Sequence, residues 1–185
     1  METSTGYSVR QHPIPGLLEF DINILADERG WFQEKFQKAK LVALGFPESF
    51  VPVQQNISYN KQAGVIRGLH AEPWDKYVSV VSGKVFAAFV DLRPQNFGMV
   101  VAVTIDPSKA VFVPKGIANS FQTLEPNTFY SYLVNNHWQP NNSQNYKFVN
   151  LADPDLNIAW PIPIADSVVS DKDKQHPMLK DIKPF

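Results

Sequence analysis

The 185-residue chain contains no cysteine. Disulfides, thiolate nucleophiles and cysteine-ligated metal sites are thereby excluded. No apolar run reaches the roughly 18 residues that a membrane-spanning helix needs. The N-terminal METSTGYSVRQHPIPG has no apolar signal core. A cytoplasmic protein with no membrane partner is expected. Charge of one sign is also lacking. Seventeen Lys and Arg stand against eighteen Asp and Glu, for a net charge of −1, which gives no broad electrostatic footprint for nucleic acid or anionic lipid. Local basic residues can still hold a small phosphate-bearing ligand. Histidines number four, at positions 12, 70, 137 and 176.

Present in quantity are 15 prolines and 12% aromatic residues, which favour a β-rich fold with tight connections over a helix bundle. The length fits a single domain over 1–185. YSVRQHPI and LLEFDINIL, within 7–25, read as two strands joined by a Pro-Gly turn. WFQEKFQKAKLVALGF (31–46) is the one convincing helical stretch, although Trp31 and Phe32 also fit a strand. VPVQQNISYN (51–60) alternates as a strand. Further strands with turn signals between them follow at 65–70, 76–82, 84–92, 98–105, 110–113, 119–123 and 128–136. This spacing predicts an all-β sandwich or barrel. The tail from 150 reads as loop and short helical turns packed on it. No repeat or long linker divides the chain.

Chemistry-bearing residues crowd into GVIRGLHAEPWDK (64–76), which holds Arg67, His70, Glu72, Trp74, Asp75 and Lys76. In an extended strand Ile66, Gly68 and His70 share one face and Arg67 and Leu69 the other, a split that bending at Gly68 can relax. A histidine among cations suits a general base, and a carboxylate on its second nitrogen would fix tautomer and ring. Singly, these residues have plainer readings. A lone histidine is usually satisfied by a neighbour. Arg29 and Glu34 are turn charges before a helix, Gln54 and Asn56 can simply share a strand face, and SDKDK (170–174) is a solvated loop. GLH and PKGIAN invite comparison with cupins, small β-barrels whose metal sites take about three histidines and a carboxylate. Here the first segment offers His70 alone, and the second has Asn119 where a histidine ligand is expected. No metal site is expected.

Taken in order, DERGWFQEKF, QQNIS, GVIRGLH, DKYVSVVSGKV, VDLRP, VFVPKGIANSF, LADPDLNIAWP and SDKD resemble the dTDP-4-dehydrorhamnose 3,5-epimerase family. RGLHAEPWDKY and HPMLKDIKP are similar to its streptococcal branch. The resemblance implies a cupin-type jelly-roll β-barrel with a few short helices. It also implies a homodimer, with N-terminal strands exchanged between subunits in many members, and no metal or cofactor. The implied substrate is a dTDP-4-keto-6-deoxyhexose, used in dTDP-L-rhamnose synthesis. Its 4-keto group acidifies the protons on carbons 3 and 5; a base removes one, an enolate forms, and a proton returns on the opposite face.

Carried over by resemblance, His70 is the base, Asp173 its paired carboxylate and Lys76 the cation at the enolate oxygen. Arg67 holds the phosphate side. Arg29 and Glu34 match nucleotide-binding positions, Gln54 and Asn56 sugar or nucleotide contacts. Asn119 stands where many relatives carry histidine, Lys172 can touch the nucleotide, and Trp74 is a stacking surface or core. The family's acid tyrosine is sought in YSYLVNNHWQP, where its position falls on His137; Tyr132, five residues earlier, points to the opposite strand face. His137 is then the acid. Otherwise the chain is a single-carbon epimerase, a 3,4-ketoisomerase of a nucleotide sugar, or a non-catalytic nucleotide-sugar binder.

Overall fold

The computed structural model describes residues 6–139 and 145–185. In chain order its strands are β1 (Tyr7–Gln11), β2 (Leu18–Ile22), β3 (Leu25–Asp27), β4 (Gly30–Phe32), β5 (Gln54–Asn60), β6 (Val65–Ala71) and β7 (Lys76–Ser82). Then come β8 (Val85–Asp91), β9 (Val100–Ile105), β10 (Lys109–Val113), β11 (Ile117–Thr123), β12 (Thr128–Val134), β13 (Lys147–Phe148) and β14 (Val168–Val169). Among the described residues there are also two short helices, α1 (Lys38–Val42) and α2 (Asp171–Lys174), and a few 3-10 turns.

The strands form two antiparallel sheets, β1-β2-β10-β7-β12-β5 and β13-β6-β11-β8-β9, with β14 added in parallel to β6. This is a jelly-roll-like, mostly β architecture, as the strand spacing predicts. The barrel of the expectation is corrected in one respect: the two sheets face each other without closing into one continuous ladder. Alternation explains the layering. Val78, Val80, Val111, Val113 and Tyr130 point from the first sheet into the core, where they meet Val85, Ala87, Phe89, Ile117 and Phe121 of the second. The rings of Phe121 and Tyr130 stack across the gap with centroids 4.1 Å apart. Tyr77, Phe112 and Leu133 face the other way, under α1 and the aromatic segment Phe36, Phe46 and Phe50.

The helix expected over 31–46 shrinks to α1. Trp31 and Phe32 lie in β4, and Gln33 and Lys35 donate side-chain hydrogen bonds to the Pro107 carbonyl, so this stretch is held against the sheet instead of coiling. Gln37 caps α1 by accepting from the Lys40 N–H at 2.8 Å. No helix among the described residues is long and apolar enough to cross a membrane.

Candidate active site

An irregularity in β6 builds the site. Asn119 pairs with His70 and Phe121 with Arg67, so three steps along β6 match two along β11. An extra residue at a bulge exchanges the faces of the side chains beyond it. Arg67 and His70, which strict alternation would separate, therefore open onto one cavity. Gly68 lies at the bulge with φ +130°, and a Cβ there would stand 2.5 Å from Ser120 Cβ and 2.6 Å from Ser120 Cα. Only glycine fits. The peptide bond that follows it, Gly68–Leu69, is cis.

The cavity, about 570 Å³, opens between the two sheets, a size suited to a small ligand. Its lining includes Arg67, His70, Glu72, Lys76, Asn119, Tyr130, Tyr132, Lys172 and Asp173. His70 Nε2 lies 2.8 Å from Asp173 Oδ1. An ionised carboxylate only accepts, so Nε2 carries the proton and Nδ1 is left with a free lone pair. Asp173 is supplied by α2, whose first turn is capped by Ser170 Oγ accepting from the Asp173 N–H at 3.1 Å. Burial alone would raise the Asp173 carboxyl. Hydrogen bonds and charge from His70, the Gly68 N–H and His176 outweigh it and hold the group at about 2.

On the other sheet, Lys76 is buried, paired with the Glu72 carboxylate and donating to Asn119 Oδ1. A buried ammonium without such partners would cost several kcal/mol, on the order of a whole hydrogen-bond network. Tyr132 projects from β12 on the same face as Tyr130 and Val134, packed against the core. Burial chiefly raises its phenol above the ordinary tyrosine range; Glu72 adds to the rise and Arg67 opposes it.

The structure thus brings together His70, Asp173, Lys76, Arg67, Asn119 and Lys172. The placement of His137 differs from the expectation. It lies past the end of β12, exposed, and is absent from the lining, whereas Tyr132 is in it. β12 ends at Val134, so strand alternation no longer sets the direction of His137, whereas Tyr132 is held within the strand. Arg29 and Glu34 also lie elsewhere. Arg29 is exposed at the β3–β4 turn and paired with Asp27, and Glu34 is paired with Lys40. Gln54 and Asn56 share a hydrogen bond of 2.9 Å on β5, and Asn56 sits directly across from Tyr132 in the ladder. Trp74 is buried edge-on against Tyr146, as core.

Sequence reasoning missed Glu72, Tyr132 and His176 as parts of one assembly. For His176 the signal was its i,i+3 spacing from Asp173 in DKDKQH. Its Nε2 meets Asp173 Oδ1 at 3.0 Å. His70, Asp173 and His176 hold donor atoms within 4.8 Å of one another, but only two imidazoles take part. Of the remaining histidines, His12 is on Glu19 and His137 lies outside. This falls short of the three-histidine set that the cupin comparison requires.

A family model for dTDP-4-dehydrorhamnose 3,5-epimerase matches residues 11–181. A protein from Streptococcus pyogenes described as an RmlC homolog is 53% identical over 177 residues, covering 93% of this chain and 89% of the relative. Among solved structures, RmlC from Streptococcus suis in complex with dTDP-D-xylose superposes with a TM-score of 0.92 at 50% identity, covering 97% of this chain and 94% of that one. RmlC from Legionella pneumophila in complex with dTDP-4-keto-L-rhamnose gives a TM-score of 0.86 at 30% identity, covering 96% and 95%.

Proposed function

Because the chain belongs to the dTDP-4-dehydrorhamnose 3,5-epimerase family, we propose that it epimerises a dTDP-4-keto-6-deoxyhexose at carbons 3 and 5 in dTDP-L-rhamnose synthesis. The observation that carries this reading is the division of labour across one cavity: His70 with Asp173 comes from one sheet and α2, Lys76 with Tyr132 from the other sheet.

In the proposed reaction His70 Nδ1 takes the proton from the carbon next to the ketone. The C–H electrons become the carbon–carbon double bond of an enolate, and the carbonyl π electrons move to oxygen. Lys76 and Asn119 stand at that oxygen, where a fixed cation is worth most as charge develops. The Tyr132 hydroxyl gives its proton to the opposite face. Imidazolium and phenolate then exchange protons with water. Two proton transfers balance each inversion, with no change of oxidation state. Arg67, held by a 3.0 Å bond from Nε to Asn60 Oδ1, presents its remaining N–H groups at the cavity edge for phosphate.

We infer a cytoplasmic homodimer. Within one chain Arg29 and Glu34 are absent from the cavity lining, while Leu25, Trp31 and Phe32 of the β3–β4 hairpin are exposed. A second copy seated there would cover these apolar side chains and bring Arg29 and Glu34 to its nucleotide. The edge strands β1 and β5 are open to a partner in the first sheet, in keeping with exchange of the N-terminal strands.

The test is incubation with dTDP-4-keto-6-deoxyglucose in heavy water, read by NMR. Deuterium at carbons 3 and 5 with inverted configuration is expected. Exchange at one carbon only would narrow the activity to a single epimerisation. Binding without any exchange would defeat the catalytic reading.

A further inference from the structure

Two imidazoles share one oxygen of Asp173. His70 Nε2 lies 2.8 Å from Oδ1 and His176 Nε2 3.0 Å from the same atom. The second oxygen, Oδ2, has a long 3.4 Å bond from the Gly68 N–H. His176 is itself held tightly. The Phe148 ring lies on it, centroids 4.7 Å apart and 20° from parallel, and meets His70 edge-on at 5.3 Å. Asn150 Nδ2 donates to the His176 carbonyl at 3.0 Å and its N–H to the Pro177 carbonyl at 2.8 Å, fixing the turn after α2. Such a satisfied, buried arrangement goes beyond what capping α2 requires.

We propose that His176 is a positioning residue for the base: it orients Asp173 and, by donating to the same oxygen, weakens that oxygen's hold on the His70 proton. The inference rests on the reading of His70 as the base. The physical argument is competition. A carboxylate oxygen that accepts two N–H bonds has less electron density for each, so it stabilises an imidazolium less than it would with a single partner. The two rings are close, with centroids 5.5 Å apart. Burial chiefly, helped by His70 and Lys172, depresses the basicity of His176 against the pull of Asp173, so it donates as a neutral ring. The other charged and titratable groups that line the cavity with His70 are Lys172 and Asp173 on α2, Arg67 and Glu72, and Lys76, Tyr130 and Tyr132 from the other sheet.

The discriminating variants are H176F and H176M, which lack a donor, and H176Q, which keeps an N–H able to reach Oδ1. Full-length protein labelled in histidine is titrated by NMR, following the His70 ring, and kcat/KM is measured against pH. In H176F and H176M the His70 titration and the acid limb of the profile are expected to move upward by about half to one pH unit, the size of one hydrogen bond's net contribution. In H176Q they stay within a few tenths of a unit of the parent. An unmoved His70 titration in whichever donorless variant folds overturns the proposal. So does an equal shift in H176Q, which would reduce His176 to packing. The NMR titration needs no turnover, so a shifted His70 in a protein that fails the heavy-water test upholds the coupling and rejects the epimerase reading instead.

Discussion

His70 and Tyr132 face one cavity from opposite sheets, the first on β6 and the second on β12. A base and an acid so placed can work on the two faces of a planar enolate. Replacing Tyr132 with phenylalanine removes the proposed acid and leaves the proposed base. In Y132F, kcat is expected to fall about 10²- to 10⁴-fold, while deuterium still enters the substrate with retained configuration. The matching change at the exposed His137, H137F, is expected to leave kcat within a few-fold of the parent. Product NMR in heavy water reads both. A severe loss in H137F with a mild one in Y132F would reverse the assignment.

Asp173 is hydrogen-bonded to His70; if it orients the proposed base, D173N should lower kcat by about 10³- to 10⁴-fold, the scale seen when a buried carboxylate no longer holds its imidazole. The same substitution has a stability signature. The Asp173 carboxyl is held at about 2 in the folded chain, below its ordinary value of about 3.9. A group depressed on folding stabilises the protein above its unfolded pKa and loses that contribution as pH falls through the folded one. The stability gap between parent and D173N is therefore expected to narrow from about pH 4 down to about pH 2. Chemical denaturation across that range measures it.

Glu72 sits between two demands. Its carboxylate pairs with Lys76, and its charge adds to the rise of the Tyr132 phenol that burial begins. E72Q should shift the basic limb of the kcat/KM profile to lower pH, because the phenolate then forms more easily. A profile whose basic limb stays in place would show that Tyr132 does not set it.

Gly68 carries the bulge that turns Arg67 and His70 to one side. Alanine there meets Ser120 at 2.5 Å in a backbone region with φ +130°. G68A is expected to destabilise the fold by about 2–4 kcal/mol, lowering Tm by about 5–15 °C, and to cost activity even where folded. Thermal melting with kcat on the surviving fraction separates the two effects.

Much of the fold was legible along the chain. β-Strands with two-residue alternation between Gly- and Pro-bearing turns announce themselves locally, because side-chain direction within a strand is a backbone property. His70, Lys76 and Asp173 stand in motifs that resemble the family's, and the fold brings all three to one cavity. The helix of 31–46 misled because its charged and aromatic spacing suits a helix, while Gln33 and Lys35 find backbone partners 74 and 72 residues away.

What the sequence by itself determined was which residues are available: no thiol, four histidines, and one polar cluster at 64–76. What only the tertiary structure decided was who meets whom. The bulge opposite Asn119 and Phe121 put Arg67 beside His70. The ending of β12 at Val134 left Tyr132 in the cavity lining and His137 outside it. The chain brought Asp173 and His176 back to a residue more than 100 positions earlier. Facing within a strand is local, but the inward face is chosen by the opposing sheet, and a carboxylate and an imidazole buried together satisfy each other only where the fold places them within reach.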